Sequence, residues 1–140
     1  MQLRSIGVAA AICLLAGTAQ AATVNYSAAL KGSSEVPPND AAGKGELTAT
    51  LDTATKVFTY KATYSGLTGP ATAAHFHGPA TAGANAPPVV PVAKPASPIA
   101  GTATLTDEQI ADLQAGKWYF NVHTAAHPPG EIRGQVVAAP

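Results

Sequence analysis

The sequence contains four histidines, and they occur in two close pairs. His75 and His77 lie in AHFHGPA, residues 74–80, and His123 and His127 lie in NVHTAAHPPGEIRG, residues 121–134. Imidazole nitrogens are ligands of Zn(II), Cu(II), Ni(II) and Fe(II), and several of them close together form a chelate. We therefore predict a metal site formed by His75, His77, His123 and His127, against the alternative of ordinary surface histidines.

Strand periodicity places these side chains relative to the core. If residues 74–77 form a strand, His75 and His77 project from one face and Phe76 from the other. Phe76 is the better core residue, so the histidines are predicted on the outer or groove face. In KWYFNVHT, residues 117–124, the same reasoning sends alternate apolar residues inward and leaves Asn121 and His123 on the polar face. A third imidazole from this strand would complete the ligand set.

The choice of ion follows from the side chains that are missing. The only cysteine and the only methionine, Cys13 and Met1, lie in a segment that we expect to be removed, so no thiolate or thioether ligand remains. We therefore expect one divalent ion, Cu(II) or Zn(II), without separating the two. An EF-hand motif and the zinc-protease motif H-E-x-x-H are both absent, and so is a G-x-S-x-G motif. No catalytic residue is assigned.

Three further residues are predicted to support the ligands. Asn121 shares the face of His123, and Glu131 and Arg133 lie two apart on one face of EIRGQVV, residues 131–137. Asn121 or Glu131 would accept a hydrogen bond from a ligand imidazole, and Arg133 would brace neighbouring polar groups. The alternative for Glu131 and Arg133 is a surface salt bridge of little energy. Trp118 and Tyr119 are predicted to be packing residues.

The rest of the chain predicts an all-β fold. Period-two alternation indicates strands, and antiparallel strands with close turn signals suggest a β-sandwich or barrel; the segments are 23–30, 45–52, 56–67, 117–124 and 131–137. One short helix near 106–115 has Thr106 as N-cap, Gln109 in a capping box and Gly116 as its stop. The proline-rich segment 78–101 is predicted as loop or edge, either a passive connection or a stiff flap beside the histidines.

The N-terminus indicates export. Arg4, an apolar stretch and Ala19-Gln20-Ala21 form a Sec-type signal peptide, residues 1–21, leaving a single β domain, 22–140. Without Arg4 the chain has 7 basic and 8 acidic residues and no basic patch, which argues against nucleic acid as a partner. We expect a periplasmic or secreted protein with no membrane span after cleavage. The sequence leaves the protein partner and the oligomeric state open.

Three motifs in order resemble the CHRD domain, a module named after chordin that also occurs alone in bacterial secreted proteins. They are LKGSSEVPP (30–38), AHFHGPA (74–80) and the ending that runs from Gly116 through NVHT to GEIRGQ (130–135). The resemblance covers residues 23–137 and implies an all-β, immunoglobulin-like or related sandwich. It carries His75, His77 and His123 as matching positions, whereas His127 is not a family position. The family's molecular role is poorly defined, so the resemblance implies no reaction.

The favoured function is a binding module that holds a divalent metal through the histidines. A metal-free interaction or matrix domain, in which the histidines hydrogen-bond across strands, is the alternative. A copper enzyme similar to superoxide dismutase is less favoured, because the chain lacks that enzyme's cysteine pair and its zinc loop. Whether the protein is an enzyme stays open, with binding preferred.

Overall fold

The computed structural model describes residues 20–140. The predicted signal peptide, 1–21, lies almost wholly outside these residues. Within them, no helix is both long and apolar enough to span a bilayer. The described residues form eight strands and one α-helix: β1 Thr23–Lys31, β2 Lys44–Asp52, β3 Val57–Ser65, β4 Ala71–His77, β5 Pro88–Pro91, β6 Ile99–Thr104, α1 Asp107–Gln114, β7 Trp118–Thr124 and β8 Ile132–Ala138.

All eight strands belong to one antiparallel sheet with the order β5-β4-β7-β8-β1-β2-β3-β6. The sheet is rolled, because residues from strands far apart in this order touch across the core. The Phe58 ring in β3 lies 5.2 Å from the Phe76 ring in β4 and 5.9 Å from the Trp118 ring in β7, measured between centroids. The result is a nearly closed barrel or sandwich with one short helix, which confirms the predicted fold class.

Alternation along β1 and β2 supplies one wall of the core. The two strands pair in register from Thr23 opposite Asp52 to Lys31 opposite Lys44. Every second residue is buried, and the intervening side chains of β2 are largely exposed; the buried residues are Tyr26, Ala28, Leu30, Leu47, Ala49 and Leu51. Truncation of a buried leucine such as Leu51 to alanine would cost about 2–5 kcal/mol. The alternation that predicted these two strands is confirmed.

The helix begins and ends where the sequence predicts. Thr106 Oγ1 accepts from Gln109 N at 3.1 Å, and Thr106 N donates to Gln109 Oε1 at 3.0 Å. Gly116 follows the C-cap with φ +69°, a conformation that glycine adopts without strain. Leu113 is buried against the barrel. The helix thus links β6 to β7 and fixes where β7 starts.

The proline-rich segment differs in part from its prediction. It contains the short edge strand β5, as the prolines suggest, and it runs into β6, which lies at the other edge of the sheet and which the sequence did not predict as a regular strand. After the buried Ile99, the remaining residues of β6, AGTAT, are small, so their alternation gives little hydrophobic contrast. β6 forms because its backbone pairs along β3, from Val57 opposite Thr104 to Ala62 opposite Ile99.

Candidate metal centre

The register between β4 and β7 brings three histidines to one face of the sheet. His75 pairs with Asn121, and Ala73 pairs with His123, so His123 is the diagonal neighbour of His75. Phe76 and Phe120 point to the opposite face and are fully buried in the core. The small side chain of Ala73 leaves room for the imidazole opposite it. The predicted faces of both strands are therefore confirmed.

The three imidazoles form a compact group. His75 Nδ1 lies 3.1 Å from His123 Nε2, and one ring nitrogen from each of His75, His77 and His123 lies within 4.8 Å of the others. An ion bound at 2.0–2.1 Å in tetrahedral geometry holds its nitrogen ligands about 3.3 Å apart. The His75–His123 pair is already at this spacing, and His77 would need to move inward by about 1 Å. The donor set and its spacing fit a divalent ion.

Hydrogen bonds fix the tautomers of two of these rings. His123 Nδ1 lies 2.9 Å from Pro128 O, and His77 Nδ1 lies 2.9 Å from Ala86 O. A carbonyl oxygen only accepts, so each Nδ1 carries the proton and donates. The lone pair of a neutral ring is then on Nε2. Backbone carbonyls behind ligand imidazoles commonly orient them in this way.

The environment of His75 and His77 favours the neutral form of both rings. Burial lowers the pKa of His75, and the neighbouring His123 and His77 lower it further. Burial also lowers the pKa of His77, although its contacts with Ala86 and Asn121 act in the opposite direction. A metal binds the neutral imidazole, so both shifts extend the pH range in which the group can act as a ligand.

His127 is not part of this group. Its backbone closes the turn after β7, with His127 N donating to Thr124 O at 3.2 Å and His127 O accepting from Gly130 N at 3.0 Å. The structure therefore brings together three of the four predicted ligands. The structure does not place His127 among them, and its predicted role as a fourth ligand stays a prediction.

Of the predicted supporting residues, Asn121 contacts a ligand and Glu131 does not. Asn121 Oδ1 lies 3.0 Å from His77 Nε2. Glu131 is fully buried and accepts from Thr68 N at 2.8 Å, Thr68 Oγ1 at 2.7 Å and Thr124 Oγ1 at 2.5 Å. Burial alone would raise the pKa of Glu131, but the bonds from Thr124 and Thr68 outweigh it and the pKa is lowered. Glu131 thus ties the β3–β4 connection to β7, rather than holding an imidazole or forming a surface salt bridge.

Arg133 forms one end of a stack that reaches His77. Its Cζ lies 3.3 Å from the centre of the Tyr119 ring, and the Tyr119 and His77 rings are stacked with centroids 4.7 Å apart and planes 3° from parallel. The guanidinium also donates to Asn85 Oδ1 at 2.9 Å and to Ala84 O. Arg133 thus holds polar groups of a neighbouring segment, as a bracing residue would, but it does so buried rather than in a surface salt bridge. Tyr119 is buried, as expected of a packing residue, and it also stacks on a candidate ligand, which the sequence did not predict.

The face that carries the histidines is covered, because two loops cross it. Segment 78–87 is held by Tyr119 OH, which donates to Ala86 O at 3.2 Å, and by Gln135 Nε2, which donates to Ala80 O at 2.8 Å. Asn85 Nδ2 in turn donates to Val36 O at 3.1 Å, joining this segment to the loop after β1. A polar face is predicted outward when only its own strand is considered. Here the loops bury it, and His75 and His123 lie half-buried at its margin.

Sequence reasoning missed Glu35, which lies on the same covered face. Its side chain is buried, and an ideal Cβ on Gly130 would overlap Glu35 Oε1 and stand 2.7 Å from Asn121 Nδ2. Burial raises the pKa of Glu35 to about 7, against the lowering effects of Arg133 and Asn121. The motif LKGSSEVPP contains this glutamate and was the one sign in the sequence of its importance.

Comparison with protein families assigns the chain. The model of the CHRD domain matches residues 26–136, which include the three histidines and Glu35. The chain belongs to the CHRD domain family. A search of curated proteins gives no significant match, and neither does a search of solved structures. The CHRD assignment confirms the resemblance seen in the motifs and leaves the function of the histidine group to be argued from its geometry.

Proposed function

We propose that this CHRD domain is an exported metal-binding protein that holds one divalent ion, Cu(II) or Zn(II), with His75, His77 and His123. The observation that carries the proposal is the convergence of three imidazoles from two strands, with nitrogens within 4.8 Å of one another. The hydrogen bonds to Pro128 O and Ala86 O orient two of the rings in advance. Pre-orientation lowers the ordering cost of binding, and the half-buried margin gives an ion a route of entry.

The competing function is a metal-free interaction module, and one contact favours it. His75 Nδ1 and His123 Nε2 are 3.1 Å apart, which is also the length of an N–H···N hydrogen bond across two strands. In that case the histidines would serve the stability of the sheet alone. The protein would then bind its partner elsewhere, and removal of divalent ions would leave its stability unchanged.

The test uses mature protein without an affinity tag, loaded with Zn(II) or Cu(II) and freed of excess ion. We expect one ion per chain by elemental analysis. Replacement of a ligand should weaken binding by more than about 100-fold, since loss of an outer supporting group alone costs 10–100-fold. His75→Ala and His123→Ala should therefore lose the ion, and His127→Ala, the matched control outside the group, should retain it.

Two results would overturn the proposal. One is wild-type protein that holds no ion and shows the same melting temperature with and without chelator, which is the behaviour of the metal-free module. The other is an ion that remains bound in His75→Ala, which would place the site elsewhere. A ligand that binds only the native state stabilises it increasingly with the logarithm of its concentration above Kd, so the melting temperature should rise with free metal in the wild type and in His127→Ala but not in His75→Ala.

A further inference from the structure

Glu35 is a buried carboxyl group with one oxygen that accepts no hydrogen bond among the described residues. In space, the Asn121 side chain separates it from His77. Its side chain is 6% exposed, and its Oε1 makes no hydrogen bond of full geometry within the part of the chain that the structure describes. The Asn121 amide lies beside it, close enough to act on the carboxyl, and Arg133 of β8 is the charged group that acts on it. Burial of such a carboxyl group costs free energy, so its presence at this position calls for a functional explanation.

Asn121 connects this carboxyl to His77. The Asn121 side chain projects between them, with Oδ1 3.0 Å from His77 Nε2 and Nδ2 near Glu35 Oε1. Since the proton of a neutral His77 is on Nδ1, facing Ala86 O, the Nε2 atom presents a lone pair. An amide oxygen opposite that lone pair makes no hydrogen bond. The amide would satisfy His77 only after a half-turn that presents Nδ2 instead.

The orientation of the amide depends on the protonation of Glu35. An ionised carboxylate only accepts, so it draws Nδ2 towards itself and leaves Oδ1 facing His77. A protonated carboxyl can donate to Oδ1, which allows the half-turn, and Nδ2 then donates to the lone pair of His77 Nε2. The oxygen and nitrogen of an amide have nearly the same shape, so the half-turn fits the same space, and its cost is the long 3.4 Å hydrogen bond from Asn121 Nδ2 to Pro129 O.

We propose that Glu35 is a positioning residue for the metal centre: through the Asn121 amide, it determines whether the lone pair of His77 is free for a metal or held by an N–H group. The proposal rests on the metal-binding function proposed above. Ionised Glu35 leaves the lone pair free and favours the ion. Protonated Glu35 makes Asn121 a competitor for His77, and the ion is held less tightly. The raised pKa of Glu35, about 7, places the change near neutral pH.

The first experiment measures Zn(II) affinity between pH 6 and 8 in wild type and Glu35→Gln. The histidines titrate in both proteins, so the difference between the two pH profiles of Zn(II) affinity reports the effect of Glu35. Wild type should gain about tenfold more affinity than the variant over this range, the scale of an outer supporting group. Identical pH profiles, in variants that still lose the ion on His75→Ala, would overturn the role of Glu35 while leaving the metal site intact.

A double-mutant comparison separates positioning from a simple effect of charge. Asn121→Leu keeps the size of the side chain and removes the amide. In that background, Glu35→Gln should no longer alter Zn(II) affinity. If the full effect of Glu35→Gln persists there, the carboxylate acts through its field and the positioning role is wrong.

A readout without metal protects against a variant that fails to fold. The side-chain NH₂ resonances of Asn121 in metal-free wild type should shift between pH 6 and 8, and this shift should vanish in Glu35→Gln. Resonances that do not move in wild type would overturn the proposal. A different outcome is a wild-type protein that shows this shift but binds no Zn(II) at any pH. That result would overturn the metal-binding function, and with it the proposed purpose of the contacts from Glu35 through Asn121 to His77.

Discussion

His123 Nε2 lies 3.1 Å from His75 Nδ1, in contact across two neighbouring strands. Because His123 donates its Nδ1 proton to Pro128 O, its Nε2 is a lone pair that faces His75. Without an ion, His75 Nδ1–H fills the gap between the two nitrogens. If an ion were bound there, the His75 proton would sit on its other nitrogen and both facing nitrogens would be ligands. The 3.1 Å spacing is thus compatible with a metal-free sheet and with the proposed metal centre, and measurements of pH dependence and metal content distinguish the two.

Acid should release the ion only below the usual range of histidine. The pKa values of His75 and His77 are lowered from 6.5, mainly by burial, so both rings stay neutral to lower pH than exposed histidines. Protonated imidazole does not bind metal. We expect the main loss of Zn(II) in a chelator competition to have its midpoint below pH 6.5, with the same midpoint in His127→Ala. A midpoint above 6.5 would contradict the neutral, pre-oriented site.

Glu131→Ala should destabilise the barrel strongly. The buried carboxylate accepts three hydrogen bonds, from Thr68 N, Thr68 Oγ1 and Thr124 Oγ1, and its loss leaves these donors unpaired. Bonds to a charged group contribute about 1.5–3 kcal/mol each and do not add fully, so we expect a loss of about 3 kcal/mol in urea unfolding at pH 7. Glu46→Ala, on the exposed side of β2, should change the free energy of unfolding by less than about 0.5 kcal/mol.

The pH dependence of the Glu131 effect has a defined sign. The folded-state pKa of Glu131 is lowered from 4.5, so its contribution is fully present above pH 4.5 and disappears as pH falls through the lower folded value. The difference in unfolding free energy between wild type and Glu131→Ala should shrink in acid. A difference that stays constant from pH 7 to acid would show that packing, rather than the charged hydrogen bonds, explains the loss.

Gly130→Ala should damage both stability and the metal centre. Gly130 has φ +139°, and a Cβ there would overlap Glu35 Oε1 and crowd Asn121 Nδ2. Strain of this kind costs about 1–3 kcal/mol, and displacement of Asn121 should also alter Zn(II) affinity. Gly69→Ala is the matched control, because a Cβ at Gly69 meets nothing within 4 Å. Thermal unfolding of the two variants should therefore differ by several degrees, and equal melting temperatures would show that the loop yields freely.

The sequence predicted those features that depend on residues close together in the chain. Alternation placed His75 and His77 on one face, and Thr106 with Gln109 identified the helix start, because each depends on neighbours within a few positions. The burial of Arg133 depends on Asn85, 48 residues away, so a single strand gives no sign of it. Glu35 lies outside any strand or helix periodicity, in the loop after β1. The sequence therefore predicts which segments are strands, but it does not predict which loops fold over the face that carries the histidines.

Glu35→Gln should stabilise the protein increasingly as pH rises from 5 to 8. Burial raises the folded-state pKa of Glu35 from 4.5 to about 7, so the folded state binds the proton more tightly than the unfolded state. Stability therefore falls as pH rises between these two values, by about 3 kcal/mol at 1.36 kcal/mol per pKa unit. Glutamine carries no charge and removes this loss. Urea unfolding of metal-free protein at pH 5, 6, 7 and 8 gives the difference directly.

The histidines change the free energy of unfolding with pH in the opposite direction to Glu35, so their contribution must be subtracted. His75 and His77 have lowered pKa values, so their contribution is complete above pH 6.5 and is lost as pH falls through the folded values. Both proteins carry these histidines, and the subtraction of one curve from the other leaves Glu35 alone. If the difference in unfolding free energy between Glu35→Gln and wild type is the same at pH 5 and pH 8, Glu35 does not titrate near neutrality. In that case a change in its protonation cannot reorient the Asn121 amide at His77.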